Sequence, residues 1–246
     1  MNQDLLIVNF AVFAASALQS ATGIGFGVIA GPILLIALND GSAIQVSIVL
    51  NLLIAALLAP SIRRKADLPV LKKLLVGLII GAPIGFLIFL KLDVALLKAF
   101  AGIAVIFTLI MTIRGYQASP DRSGSAPGDA EQVSIGVVAG LMGASLAMPG
   151  PIPAAWMSVT GFGKETVRAT ILMMFLFAYS IALALQFSGA GISSDTLRLC
   201  LVLVPATVVG IVAGRLLAHR ISERLFRRIL VIVLTATALA LLWSLV

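Results

Sequence analysis

Gln19-Ser20-Ala21-Thr22-Gly23-Ile24-Gly25-Phe26-Gly27 interrupts an apolar run that would otherwise continue as one helix. Its three glycines each weaken a helix by about 1 kcal/mol relative to alanine, and they let backbone approach a neighbour closely. The second half of the chain has a counterpart, Gly143-Ala144-Ser145-Leu146-Ala147-Met148-Pro149-Gly150-Pro151-Ile152-Pro153. There the prolines remove amide donors and break the run. Interrupted hydrophobic segments at matching places in two halves are the sequence mark of a repeat-built transporter and of its binding site.

Other landmarks repeat in the same order. Gly31-Pro32 recurs as Gly150-Pro151, and Gly81/Gly85 as Gly210/Gly214. Leu96-Leu97-Lys98-Ala99-Phe100 matches Leu225-Phe226-Arg227-Arg228-Ile229. The halves are expected at 1–114 and 133–246, joined by a Pro-, Gly- and Ser-rich cytoplasmic linker at 115–132.

Matching loops carry opposite charge bias. Arg63, Arg64, Lys65, Lys72 and Lys73 fill one loop of the first half, whereas its counterpart at 188–198 holds only Arg198. Lys91 and Lys98 correspond to the far more basic Arg215, Arg220, Arg224, Arg227 and Arg228. Asn39-Asp40 has no basic neighbour, while its counterpart has Lys164 and Arg168. Basic loops stay in the cytoplasm, so the halves are expected to lie in opposite orientations with both termini outside.

Composition sets the class. Hydrophobic residues make up 61% of the chain and charged residues 11%. Apolar runs near 20 residues read as membrane helices at 5–22, 42–61, 69–90, 94–113, 133–147, 166–187, 197–217 and 225–245, with shorter pieces at 26–38 and 151–160. The expectation is an all-α polytopic membrane protein of two inverted-topology repeats. Broken or re-entrant helical hairpins bring it to about eight to ten membrane segments.

The net charge of +7 is accounted for by cytoplasmic loops, and no basic stripe with interleaved aromatics suggests nucleic acid. One cysteine, Cys200, and one histidine, His219, leave no metal site and no intramolecular disulfide to build. The start, MNQDLLIVNF, lacks a basic n-region and reads as the first helix rather than a signal peptide. No cofactor motif stands out, because Gly161-Phe162-Gly163-Lys164-Glu165-Thr166 has Glu165 where a phosphate loop needs Ser or Thr. No catalytic triad or carboxylate pair can be assembled.

The candidate site follows from the broken hairpins. A half-helix N-terminus presents free N–H groups and the positive end of a dipole, and Ser20, Thr22 and Ser145 stand beside such termini. Gln19, Gly23, Gly25, Gly27, Pro149 and Gly150 complete the two turns. The following helices add Gln45, Ser47 and Asn51, matched in the second half by Arg168 and Thr170. For any single glycine, close helix packing is the simpler account. Arg168 is the one cation placed to meet an anion inside a span, and the competing reading makes it a cytoplasmic anchor. Gln186 and Tyr179 are weaker candidates. No Asp or Glu lies deep in a span, which argues against tight proton coupling.

Two hydrophobic halves, each opening on a broken turn and followed by a polar Ser/Thr helix, resemble the TauE/SafE sulfite exporter family. Gly23-Ile24-Gly25-Phe26-Gly27, Ala43 to Ser47, Gly81/Gly85 and Gly210/Gly214 carry the resemblance. It implies a bacterial inner-membrane transporter that exports or passes sulfite, thiosulfate, an organosulfonate or a related small anion. The chain departs from the family's pattern at Met148-Pro149-Gly150-Pro151-Ile152-Pro153, where a second Gly-rich turn is common. Alternatives are a carrier of another small anion or a neutral solute, or a non-transporting subunit of a larger complex. A membrane enzyme would need acid/base or metal groups that the chain lacks. The implied partners are a small anionic substrate and the lipid bilayer. A homodimer is compatible with the size, but no residue specifies one.

Overall fold

A computed structural model describes residues 2–23, 25–114, 128–217 and 223–244. Ile24, most of the linker (115–127), and His219 and Arg220 lie outside the described residues. The described chain contains ten α-helices: α1 Asn2–Thr22, α2 Phe26–Leu38, α3 Ser42–Ile62, α4 Leu68–Lys91, α5 Val94–Arg114, α6 Asp129–Leu146, α7 Pro151–Val159, α8 Lys164–Leu185, α9 Ser194–Leu217 and α10 Glu223–Trp243. A one-turn 3-10 helix, Arg63–Lys65, follows α3.

Local chemistry sets the boundaries. Asp67 caps α4 by accepting from Val70 N at 3.0 Å, and Pro69 sits in the first turn, where its missing N–H costs nothing. Asp93 accepts from Leu96 N at the start of α5. The sixth helix begins at Asp129, inside the stretch expected as linker. Asp129 and Glu131 in its first turn favour the positive end of the helix dipole.

Among the described residues, six helices are long and apolar enough to cross a membrane: Leu5–Thr22, Ser42–Lys65, Leu68–Lys91, Val94–Ile113, Lys164–Ala190 and Ser194–Leu216. That is fewer than the eight to ten segments expected, and the broken helices account for part of the difference. At about 1.5 Å per residue, α2 rises about 20 Å and α7 about 14 Å. Both fall short of a hydrocarbon core about 30 Å thick.

The third helix runs through the middle, with 67% of its span buried against 33% for α9. Outward faces of α4 and α9 present Ile79, Ile80, Ile84, Leu201, Val209 and Val212. Such apolar outward faces suit lipid rather than water.

Packing between the halves comes in matched pairs. The fourth helix lies along α6 and α9 along α1, while α4 also meets α8 and α9 meets α3. Both long seams depend on glycine. A methyl group on Gly77, Gly81 or Gly85 would strike the Val133, Val137 or Leu141 carbonyl of α6. On Gly210 or Gly214 it would strike the Phe13 or Ala17 carbonyl of α1. Contacts advance in the same direction on both helices, so each pair runs parallel. Lipid offers no hydrophobic drive between helices, and close backbone approach supplies dispersion in its place.

Candidate functional site where two broken hairpins meet

The break between α1 and α2 is a left-handed turn, with Gly23 at φ 89° and Gly25 at φ 140°. Only glycine takes such angles without strain. Gln19 spans the break. Its Oε1 accepts from Phe26 N at 2.8 Å, and its Nε2 donates to Asn51 Oδ1 at 3.3 Å. Asn51 Nδ2 in turn donates to Ser47 O at 2.9 Å. Gln19, Ser47 and Asn51 are all buried. A buried amide left unmatched costs about 1–3 kcal/mol, so this chain of bonds fixes the first hairpin to α3.

The second break is built differently. The sixth helix ends on Ala147, a non-glycine residue at φ 58°, a conformation that costs an L-residue roughly 1–2 kcal/mol. Tyr179 Oη, buried in α8, donates to the Ala147 carbonyl at 3.1 Å and holds it there. Pro149 packs against Gly143. Gly150 precedes α7 at φ −84°, an ordinary angle. Pro151 and Pro153 carry no N–H, so the start of α7 is poor in amide donors.

The two breaks face each other. A methyl on Gly27 would collide with the Ala147 carbonyl. A methyl on Gly31 would lie 3.5 Å from Met148 Cε and 3.7 Å from Ser47 Oγ. Glycine at 27 therefore lets the first half-helix touch the turn of the second hairpin.

The hydroxyl protons are already committed. Ser20 Oγ donates to Ile211 O at 2.8 Å, Thr22 Oγ1 to Leu18 O at 2.8 Å, Ser47 Oγ to Ala43 O at 2.9 Å and Ser145 Oγ to Leu141 O at 2.7 Å. In this conformation each hydroxyl proton binds backbone.

Arg168 joins the first hairpin from the other half of the chain. It lies in the second turn of α8, yet its Nη2 donates to Ser20 O of α1 at 2.6 Å. Its side chain passes over Gly23, where any Cβ would run into Arg168 Cγ. Its Nε is buried without a hydrogen-bond partner. The nearby carboxylate is taken, because Lys65 Nζ pairs with Glu165 at 2.6 Å. Arg215 adds a second cation whose field acts on Arg168, and it donates to Leu57 O at 2.9 Å. Sequence reading placed Arg215 among cytoplasmic loop charges. Its approach to Arg168 depends on how α9 packs, which no local pattern reveals.

Two predicted residues lie away from this centre. Thr170 Oγ1 accepts from Asp67 N at 2.9 Å, steadying the start of α4. Gln45 lies toward the opposite end of α3 from the basic cluster. Its Nε2 donates to Gln186 Oε1 at 3.1 Å and Gly191 O at 2.8 Å. The predicted residues thus form a central group (Gln19, Gly27, Ser47, Asn51, with the second turn), a basic group (Ser20, Thr22, Gly23, Arg168) and two separate positions, Thr170 and Gln45.

Such a fold, with interrupted helices meeting inside an apolar bundle, is that of a multi-pass membrane protein. The family described as Sulfite exporter TauE/SafE matches residues 8–241. The chain belongs to that family, which is one of transporters and not of enzymes. It is 29% identical over 170 residues to a protein of Comamonas testosteroni named "Probable inner membrane transporter protein TsaS", covering 68% of this chain and 69% of that protein. No solved structure matches.

Proposed function

We propose that the protein exports a small oxyanion of sulfur, sulfite or a short organosulfonate, across the bacterial inner membrane. In this reading the two halves are inverted repeats that move against each other around the paired breaks. Matched seams, α4 on α6 and α9 on α1, support the repeat relationship, as does the opposite charge bias of corresponding loops. The lengths of α2 and α7 favour re-entrant arms over full crossings.

The observation that carries the anion reading is Arg168. A guanidinium beside a broken helix, with its nearest carboxylate already paired and one N–H unspent, is an anion receptor. The family's own description points to sulfite. A membrane potential negative inside favours anion exit by about 2.3 kcal/mol per charge per 100 mV. Export then needs no titratable group within the spans.

Purified protein in liposomes tests the proposal. Sulfite loaded inside should leave faster than from empty vesicles, and Arg168→Ala should abolish the difference. Equal efflux from vesicles with and without the protein would contradict it. A requirement for a second polypeptide would favour the subunit alternative.

A further inference from the structure

A second polar feature lies at the end of α3 remote from Arg168. It is an open cavity of about 550 Å³ lined by Asp40, Ser42, Gln45, Gly191, Ser193 and Thr196, with Phe89, Ala190 and Ile192 at its edge. From Gln45 to Lys65 the chain rises about 30 Å. Lys65 pairs with Glu165 in the first turn of α8, near Arg168. By the positive-inside rule the basic end is cytoplasmic and the cavity opens outward.

The cavity is built to hold an oxyanion weakly. No lysine or arginine lines it. Both donor bonds of Gln45 Nε2 go to Gln186 Oε1 and Gly191 O, so its Oε1 is what remains for the cavity. The Ser193 and Thr196 hydroxyls bond each other at 2.8 Å, which spends one of their two protons and leaves a single neutral O–H. Asp40 adds a carboxylate, kept below its usual pKa by the Ser42 hydroxyl and N–H and hence ionised at neutral pH. Lys98 is buried and spends a bond on Asn39 Oδ1 at 2.7 Å, but it does not line the cavity. At roughly 30 Å³ per water, the space takes on the order of fifteen waters, so an anion can rehydrate there.

We propose that this cavity is the outer release vestibule for the transported anion, and that Gln45 and Asp40 make its hold weak where Arg168 makes the cytoplasmic hold tight. The inference rests on the anion-transport reading above. It assigns a role in release to two residues outside the central group. Unequal hold sets the sulfite concentration at which each face saturates, while the membrane potential and the anion gradient set the direction of net flux.

Half-saturation for sulfite, measured from each face in vesicles of defined orientation, tests this. The wild type should saturate at about tenfold lower sulfite from the cytoplasmic face, the difference between a charge-assisted and a neutral hydrogen-bond set. Gln45→Arg should lower the outer-face value by about tenfold. Asp40→Asn keeps an oxygen to cap Ser42 N and should lower the outer-face value about two- to threefold, as for an exposed charge. It should leave the cytoplasmic-face value unchanged, and it carries the test if Gln45→Arg fails to fold. Equal half-saturation from both faces, or an outer-face value unmoved by Asp40→Asn, would overturn the vestibule while leaving transport standing. A wild type with no sulfite flux would overturn both.

Discussion

Arg168 Nη2 donates to the Ser20 carbonyl at 2.6 Å across the boundary between the two halves. The bond ties the eighth helix to the end of the first, where carbonyls lack intrahelical partners. It also places a cation at the negative end of the α1 dipole. One residue thus closes the first hairpin and keeps an unspent Nε–H beside it. Breaking the Ser20 bond would both free the hairpin and release a donor, and under the proposed function this would couple anion binding to movement.

Arg168→Lys is the sharper test of this dual role. Lysine keeps the charge but loses the planar fork. Sulfite affinity should fall about tenfold with membrane insertion intact, and Arg168→Ala should fall further. Titration calorimetry on purified variants measures both. Equal affinity in wild type and Lys variant would show that charge alone suffices.

Gly27→Ala should be far more damaging than Gly31→Ala. The first methyl meets the Ala147 backbone carbonyl, which can yield only if a hairpin shifts, whereas the second finds ordinary contact with the flexible Met148 side chain. Overpacking of the first kind costs roughly 1–3 kcal/mol. Thermal unfolding in detergent should show a lowered midpoint for Gly27→Ala and near wild-type behaviour for Gly31→Ala.

Gln19→Leu removes the shared partner of Phe26 N and Asn51. Two buried groups then lose their bonds, for a cost of roughly 2–5 kcal/mol. Gln19→Glu retains an acceptor for Phe26 N but places a charge in the bundle, and it should destabilise at neutral pH. Limited proteolysis near Gly23 would report the loosened hairpin.

Gly81→Ala should weaken the α4–α6 seam, because its methyl enters the Val137 backbone. Gly163→Ala is the control, since nothing lies within 4 Å of its new carbon. Expression level and detergent-stable yield should fall for the first and hold for the second.

Much of this was legible in the chain. Gly23, Gly25 and the prolines after Met148 announce the breaks, because backbone chemistry is local. Gly81/Gly85 and Gly210/Gly214 show a repeated spacing, and their close packing emerges only in the fold. Their partners do not show, since α4 meets α6 and α9 meets α1 only across the halves. The donor direction of Ser20 and Ser145 was equally hidden, for a hydroxyl beside a helix chooses between backbone and ligand only once the fold is set. The partner of Thr170 was hidden for a related reason. Its position corresponds to Ser47 in the expected repeat, but its neighbour is the Asp67 amide of a capped helix. Gln19 stood among the turn residues, yet its role as a bridge between Phe26 and Asn51 needed the third helix beside it.

The most direct measurement is the thermal stability of the purified protein with sulfite, thiosulfate and short sulfonates, against chloride and amines. A ligand held at 100 times its Kd adds about 2.7 kcal/mol. The account predicts that one or more sulfur oxyanions raise the unfolding midpoint of the wild type and fail to raise that of Arg168→Ala. Equal stabilisation of both proteins, or stabilisation by amines alone, would contradict it.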